Sequence, residues 1–174
     1  MKKLLLVLLA LMFIVPVGLA EQKLTHFKSV SAFCLDYPAK KLHVVSDDSN
    51  TILRAKSNKI DVMICIICRD DTKDEDPAAH MVKLAAEHDM QLTENDIPVF
   101  TTKGGGKAYQ LRRESATDIS IDYFIREGDR DFDVSVMIGA KAAAEYEPIV
   151  HDVVLSIAVN PDMPYHGAIA PDFT

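Results

Sequence analysis

The stretch from Ile60 to Cys68 constrains the fold more than any other part of the sequence. Its residues are Ile-Asp-Val-Met-Ile-Cys-Ile-Ile-Cys, and apolar side chains occupy both odd and even positions over most of its length. A short apolar run that is rich in β-branched residues favours a strand. A strand with two apolar sides is expected where other layers cover both faces of its sheet. We therefore predict that this strand is central.

Periodicity and turn residues predict the other elements. Strands are predicted over residues 33–37, 51–57, 99–102, 108–112, 119–125 and 132–138. Apolar stripes at helical spacing predict two helices, the first with Met81, Leu84, Ala85 and His88, and the second with Val150, Val153, Val154 and Ile157. Asp76 and Pro77 mark the start of the first helix, and Pro148 is expected in the first turn of the second.

The order of these elements indicates the fold class. Three strands precede the first helix, and four strands joined as hairpins separate it from the second helix. Consecutive hairpins produce an antiparallel meander, and two helices far apart in sequence can cover its two faces. The prediction is an α+β fold, an antiparallel sheet with helices on both faces in an α/β/α sandwich.

The first 20 residues have the organisation of a secretory signal peptide. Lys2 and Lys3 precede an apolar run over residues 4–15, and small residues predict cleavage after Ala20. An uncleaved signal-anchor is the alternative. Glu21 follows the cleavage site, whereas bacterial lipoprotein acylation needs a cysteine there. We expect a periplasmic or secreted protein with no membrane span after processing.

The remaining chain is predicted to form one domain. The 174 residues, less a 20-residue signal, are enough for a single core that needs no disulfide staples. Residues 21–31 are polar and weakly patterned, so we expect a lead-in segment. The domain is predicted over residues 32–159, and the prolines within residues 160–174 predict an irregular tail.

The charge balance excludes some partners. The chain has 26 acidic and 19 basic residues, and loss of Lys2 and Lys3 with the signal makes it two charges more negative. An acidic surface repels phosphate groups. This argues against nucleic acid or an anionic membrane as the main partner.

The pattern as a whole resembles the PsbP-like fold superfamily. The features that carry the resemblance are the Phe33-x-Leu35-x-Tyr37-Pro38 strand, the two-faced strand, an acidic connection into a helix, a hairpin over residues 119–138 and a closing helix over residues 149–157. The superfamily includes photosystem II extrinsic accessory proteins, a Ran-binding nuclear import factor and bacterial DcrB-type envelope proteins. The resemblance covers residues 32–159, although the acylation cysteine of the bacterial members and a Trp after Pro38 are missing.

The resemblance implies an accessory or binding protein rather than an enzyme. Members of the superfamily bind very different partners, so it identifies no target, and it transfers no catalytic residues. We expect an exported, non-catalytic accessory protein of the cell envelope. Its expected partner is an envelope or secreted protein, and a small ligand is the alternative. An enzyme whose site the sequence does not reveal is a further alternative.

The three cysteines suggest competing interpretations. Cys65 and Cys68 have the C-x-x-C spacing of thiol oxidoreductases, so a thiol-redox or metal-handling protein is the second hypothesis. In an extended strand, however, residues three apart are about 10 Å apart and point to opposite faces, too far for a disulfide between them. Export favours a disulfide from Cys34 to Cys65 or Cys68, and three buried thiols are the other structural interpretation.

The glycine run at residues 104–106 does not match a phosphate-binding loop. The Walker pattern needs Gly where the chain has Thr101, and Ser or Thr where it has Ala108. We predict a hairpin tip. If this tip has a function, it is as a contact surface whose small basic patch contains Lys103, Lys107, Arg112 and Arg113.

No metal, cofactor or catalytic residue is predicted. Asp129, Asp131 and Asp133 begin like a calcium loop, but Val134 and Ala140 occupy the positions of its required Gly and Glu. The acidic residues between Asp70 and Asp76 are interpreted as a solvated connection before a helix. The six histidines form no H-E-x-x-H pair, and no G-x-S-x-G motif is present.

Overall fold

The structure is a computed structural model that describes residues 23–31, 33–69 and 75–160. The predicted signal peptide with its cleavage site at Ala20, the acidic residues 70–74 and residues 161–174 of the predicted tail lie outside the described residues. The elements in chain order are β1 (Leu24–Lys28), β2 (Phe33–Pro38), β3 (Leu42–Asp47), β4 (Thr51–Ala55), β5 (Val62–Arg69), α1 (Pro77–Glu87), β6 (Val99–Thr101), β7 (Lys107–Glu114), β8 (Asp118–Glu127), β9 (Arg130–Gly139), α2 (Ala143–Leu155) and β10 (Ala158–Val159). Short 3-10 turns cover Glu94–Asp96 and Ala140–Ala142.

The predicted α+β class and antiparallel meander are confirmed. The main sheet has seven antiparallel strands in the order β3-β4-β5-β9-β8-β7-β6. β5, which contains most of the two-faced apolar stretch, pairs with β4 on one side and with β9 along its full length on the other. The strands β6, β7, β8 and β9 follow one another as hairpins, as the sequence pattern predicted.

The two helices lie on opposite faces of this sheet. Tyr123 and Phe124 are neighbours on β8 and therefore point to opposite faces. Tyr123 belongs to the larger apolar cluster with α2, whereas Phe124 belongs to a smaller cluster with Met81 and Ala85 of α1. The sheet is thus sandwiched between helices, as predicted.

The cover on the α1 face is only partial, which differs from the prediction for β5. α1 packs on β7 and β8, and both faces of β5 were expected to be buried. Val62, Ile64 and Ile66 are buried on the α2 face. On the other face, Met63 and Cys65 are only half-buried, and 39% of Ile67 is exposed. The second apolar face of β5 is therefore open in the part of the chain that the structure describes.

A second, three-stranded sheet with the order β1-β2-β10 corrects two expectations. β2, predicted as the first strand of the main sheet, pairs instead with β1 and β10. The segment 21–31, expected to be a lead-in, contains β1. Most of β1 is exposed, so its sequence has no apolar alternation to mark it. The small sheet joins the core through Phe33, whose ring meets the ring of Phe132 edge to face at 5.5 Å between centroids.

The two helices begin in different ways. Asp76 caps α1 as predicted, because its side chain accepts a hydrogen bond from the backbone N–H of Ala79 at 2.9 Å. α2 starts at Ala143, so Pro148 lies inside the helix rather than in its first turn. Proline has no N–H to donate to the carbonyl four residues earlier. Pro148 therefore leaves the Ala144 carbonyl without its usual helical donor. Neither helix in the described ranges has the length and apolar character needed to cross a membrane.

Candidate functional site

The C-x-x-C pair is split between the two faces of the main sheet. Cys65 lies opposite Ser135 of β9, on the face that carries α1, and Cys68 lies opposite Phe132, on the α2 face. This is the arrangement that an extended strand imposes. Burial raises the pKa of the Cys65 thiol above its usual value, so the reactive thiolate is disfavoured. The geometry does not support dithiol chemistry between Cys65 and Cys68.

Cys34 is oriented away from both of the partners predicted for it. On β2 its neighbour Phe33 points into the core towards Phe132, so Cys34 points to the other face of the small sheet. Its Sγ donates to the Ala158 carbonyl at 3.6 Å. Burial, and to a lesser degree the nearby Asp36, raise the pKa of Cys34. All three cysteines are thiols in this structure, and the disulfide from Cys34 to Cys65 or Cys68 is not formed.

The glycine loop, residues 102–106, joins β6 to β7 as predicted, but it is packed against a buried carboxylate. Glu127 is 6% exposed. Its Oε2 accepts a hydrogen bond from the backbone N–H of Gly106 at 3.0 Å and another from the hydroxyl of Thr102. The backbone N–H of Lys103 donates to the Leu155 carbonyl at 2.7 Å, which ties the loop to the end of α2. The glycines thus allow close packing.

The basic patch predicted beside this loop does not form. The Lys103 ammonium contacts Asp36 at 2.6 Å, in the small sheet. Arg112 and Arg113 are neighbours on β7, so their side chains project to opposite faces. Arg112 pairs with Glu147 and Glu114, and Arg113 pairs with Asp122. Intramolecular ion pairs therefore disperse three of the four predicted cations.

The aspartates that resemble a calcium loop are part of a hairpin. Asp131 is opposite Arg126 in the β8–β9 register and forms an ion pair with it at 2.8 Å. Asp133 contacts Arg69 at 3.2 Å, and burial raises the pKa of Asp133. Within the described ranges, no three His, Cys, Asp or Glu side chains are grouped so that they could hold a metal ion.

The structure reveals a groove that the sequence did not predict. It lies between α2 and the strands β6, β7 and β8, on the face opposite α1, and has a volume of about 450 Å³. We call it the α2 groove. Its lining residues are Phe100, Gln110, Tyr123, Ala143, Ala144, Glu147, Pro148 and His151.

A chain of hydrogen bonds joins three elements in the α2 groove. The register of β7 and β8 places Gln110 directly opposite Tyr123, and the Gln110 amide donates to the Tyr123 hydroxyl at 2.8 Å. The Tyr123 oxygen lies 3.2 Å from His151 Nδ1 of α2. Because the hydroxyl accepts from Gln110, its own proton is available for Nδ1, and in neutral His151 the second ring nitrogen then carries the ring proton. The Phe100 ring packs edge-on against the imidazole, with centroids 4.7 Å apart.

The rim of the groove is held by an ion pair. Arg112 donates from Nε to Glu147 Oε1 at 2.6 Å and from Nη2 to Oε2 at 3.3 Å. Such a two-point pair fixes the orientation of both side chains. Pro148 lines the groove together with Ala144, whose carbonyl it deprives of a helical donor. The groove therefore combines apolar walls with donors and acceptors in fixed positions.

Tyr123 acts as a neutral hydrogen-bonding group rather than as a base. It is 2% exposed, and burial raises its pKa to about 12. The phenol therefore keeps its proton over the whole physiological range. A buried tyrosine with a satisfied hydroxyl is a rigid, amphipathic element of the kind that binding sites use for orientation.

The residues of the groove could have been singled out only with knowledge of the register. Tyr123 stands in the stripe Ile119, Ile121, Tyr123 and Ile125, and on sequence it counts as core. His151 follows Val150 of the apolar helix stripe and belongs to no sequence motif. The signal that was present is the hairpin of β7 and β8, which aligns Gln110 with Tyr123 once its register is known.

The raised pKa of Tyr123 predicts a pH-dependent loss of stability. Folding favours the protonated phenol, so this contribution is complete below pH 10, the ordinary pKa of tyrosine, and falls as the pH rises towards 12. We expect a loss of about 2 kcal/mol from this group by pH 12. In Tyr123→Phe that part of the decline should be missing when urea unfolding is measured from pH 8 upwards. If the free energy of unfolding of the wild type and of Tyr123→Phe falls with pH in the same way, the raised pKa does not belong to Tyr123.

The comparisons with known proteins bear on the fold. The solution structure of cyanobacterial PsbP (CyanoP) from Synechocystis is similar with a TM-score of 0.53 and 10% identity, over 83% of this chain and 99% of that one. A crystal structure from Bacteroides thetaiotaomicron at 1.50 Å resolution is similar with a TM-score of 0.52 and 12% identity, over 77% of this chain. The matched region covers 47% of that chain, about half its length. No family model matches the chain, and no curated protein matches it in sequence. The chain has a PsbP-like fold, as the resemblance implied.

Proposed function

We propose that this chain is a non-catalytic accessory protein that binds an envelope or secreted protein through the α2 groove. The observation that carries the proposal is the Gln110–Tyr123–His151 chain of hydrogen bonds at the base of an open groove. These groups come from two strands and a helix, so the fold determines their positions. A PsbP-like fold, whose members include accessory proteins, supports the same interpretation.

Two of the three ionisable side chains that line the groove, Tyr123 and Glu147, favour binding over catalysis. A general acid or base works best when its pKa is near the working pH. The pKa of Tyr123 is raised to about 12, and the Glu147 carboxylate is engaged by Arg112. Both groups are already engaged within the protein and hold the groove in a fixed shape. An enzyme that uses the groove would have to depend on His151, the remaining ionisable side chain of its lining.

The chemistry of the walls defines the class of partner. Phe100, Ala143 and Pro148 offer apolar contact, while the His151 imidazole offers a polar contact. A volume of about 450 Å³ is within the range of small-molecule sites and also accommodates a few side chains. A segment with an apolar side chain beside a polar group is complementary to this groove. We favour a segment of a protein partner, and a small ligand of the same amphipathic character is the alternative.

The proposed location is the periplasm or the extracellular space. It rests on the signal-like residues 1–20, with basic residues before an apolar run and small residues before Ala20. The thiol-redox alternative lacks a comparable supporting observation. Its two sulfur atoms, those of Cys65 and Cys68, lie on opposite faces of the sheet.

The experiment that tests the proposal is affinity capture from envelope extract with a matched pair of histidine variants. His151→Ala removes the imidazole from the groove, whereas His88→Ala removes an exposed imidazole at the end of α1, on the other face. We expect the wild type and His88→Ala to recover the same partner, and His151→Ala to recover at least about tenfold less, as when a binding hot spot is truncated.

The outcomes separate the hypotheses. Equal recovery by all three proteins would place the partner's contact outside the groove and contradict the proposal. A protein partner that is lost only in His151→Ala supports it, provided that the variant unfolds at the same urea concentration as the wild type. Substrate turnover that His151→Ala abolishes would make the protein an enzyme and would also contradict the proposal.

A further inference from the structure

Three sulfur-bearing side chains share the open part of the α1 face. Met63 and Cys65 are two residues apart on β5, so both project to the same face. Met137 of β9 is directly opposite Met63 in the antiparallel register. We call Met63, Cys65 and Met137 the sulfur cluster. It lies on the face of the sheet opposite the α2 groove.

The register fixes how close these side chains are. Directly opposed residues have β-carbons about 4.5–5.5 Å apart, and diagonal neighbours such as Met137 and Cys65 are about 7–8 Å apart. Met63 and Cys65 are separated by two rises of the strand, about 6.6 Å. Methionine carries its sulfur two bonds beyond the β-carbon on a flexible stem. Both thioethers can therefore reach the Cys65 thiol without movement of the backbone.

Within the described residues, the surroundings of the cluster are open to a small ion. All three side chains are half-buried, whereas their strand neighbours Ile64 and Val136 are buried on the other face. Directly opposite Cys65 on the two flanking strands are Ile52 and Ser135, which are uncharged. Charged neighbours on the same face are Arg54, opposite Met63, and Asp122, which is opposite Ser135 and forms an ion pair with Arg113. The three side chains themselves are partly accessible among the described residues.

The donor set selects the ion. Thioether and thiolate sulfur are soft ligands that favour Cu(I) over hard cations such as Mg²⁺ or Ca²⁺. The cluster differs from a zinc site, which is built from thiolates, imidazoles or carboxylates. We propose that Met63, Cys65 and Met137 form a binding site for a single Cu(I) ion. This site is independent of the α2 groove and of the function proposed for it.

Binding at this site involves one proton and no change of oxidation state. The Cys65 thiol gives its proton to solvent, a copper–sulfur bond forms, and the two thioethers donate lone pairs to the same ion. The thiolate charge neutralises that of Cu(I). Metal binding should accordingly release about one proton per ion.

Arg54 opposes the bound cation. Its Nη2 lies 3.7 Å from the Met63 sulfur, across the β4–β5 pair, and the side chain is exposed. The guanidinium must turn away into solvent when Cu(I) arrives. Removal of this charge in Arg54→Ala should therefore increase the affinity for Cu(I). An apolar patch without a metal site would bind Cu(I) no more tightly in this variant.

The test is anaerobic competition for Cu(I) against bicinchoninate, together with NMR of the methionine methyl groups during titration with Ag(I), a redox-stable probe. We expect Met63→Leu and Met137→Leu each to weaken Cu(I) binding by about 10- to 100-fold. This is the loss usually caused by removing a residue that only supports a metal ligand, so loss of a ligand itself should cost at least as much. Cys65→Ser should also abolish the proton release. The methyl signals of Met63 and Met137 should shift on Ag(I) binding, while that of Met90, in the α1 cluster, stays in place.

The controls distinguish a three-sulfur site from an isolated thiol. Cys34→Ser and Met90→Leu should keep the wild-type affinity, because both residues lie outside the cluster. Binding that survives both methionine substitutions, or that disappears in Cys34→Ser, would overturn the proposal. Unchanged methyl signals for Met63 and Met137 would overturn it as well.

Discussion

Replacement of Gly106 by alanine is expected to lower the free energy of unfolding by about 3 kcal/mol, at the upper end for an overpacked site. A β-carbon at this position would overlap Glu127 Oε2 and the backbone oxygen of Arg126, and it would lie 3.0 Å from the Glu127 α-carbon. A side chain could turn away, but a backbone oxygen in a strand cannot. The loop would have to move, and Glu127 would then lose the hydrogen bond that it accepts from the Gly106 N–H.

A second glycine in the same loop provides the control. A β-carbon at Gly105 would meet no atom within 4 Å, but the φ of this residue is +95°. Gly105→Ala should therefore introduce only backbone strain, about 1–2 kcal/mol. Urea unfolding of the two variants beside the wild type measures the difference. If both variants lose the same free energy of unfolding, the glycines are needed for the backbone conformation of the loop and not for its close contact with Glu127.

The position of the loop explains why this effect is large. Through Lys103 the loop reaches the Leu155 carbonyl of α2 and the Asp36 carboxylate of the small sheet. It also covers Glu127, a carboxylate with little access to water. A buried carboxylate that loses its donors is costly, because neither water nor protein then satisfies it. The glycine loop therefore stabilises the contact among three parts of the fold.

Patterns that depend on neighbours in sequence predicted six of the seven strands of the main sheet, and only its edge strand β3 was not predicted. β8 and β9 were predictable because alternation over seven residues, 119–125 and 132–138, specifies both the strand and its buried face. The cap at Asp76 was predictable because a cap is a local arrangement. The extended state of β5 followed from its β-branched residues, and with it the separation of Cys65 from Cys68.

Features that depend on distant contacts were not predictable. β1 exposes most of its side chains, and β10 has only two residues, so neither has a periodic pattern. Both are strands only because β2 lies between them. The α2 groove needs Gln110 and His151 to meet at Tyr123, and no spacing in the sequence contains that information. The Pro148 prediction was wrong for a related reason: tertiary packing of α2 tolerates a proline that an isolated helix would reject.

Replacement of Phe33 by alanine is expected to lower the free energy of unfolding by about 3–5 kcal/mol. Phe33 is fully buried, and its ring meets that of Phe132 in an edge-to-face contact. It belongs to β2, whereas Phe132 belongs to β9, so the pair joins the small sheet to the main one. Removal of the ring leaves a cavity at this junction, and the cost of such cavities increases with their volume.

A double-mutant cycle isolates the contact from the burial. Phe33→Leu and Phe132→Leu keep most of the apolar volume but remove the ring geometry. Their coupling energy should be about 0.5–1.5 kcal/mol, the range found for aromatic pairs. Urea unfolding followed by circular dichroism measures the four proteins of the cycle. Phe27→Ala, which removes a half-buried ring of β1, is the comparison for Phe33→Ala.

If Phe33→Ala keeps the wild-type midpoint, or unfolds in two separate steps, the small sheet is not part of one cooperative unit with the main sheet. A single transition at a much lower urea concentration, with a coupling energy in the expected range, would establish that the domain begins at β1 and that its two sheets fold together.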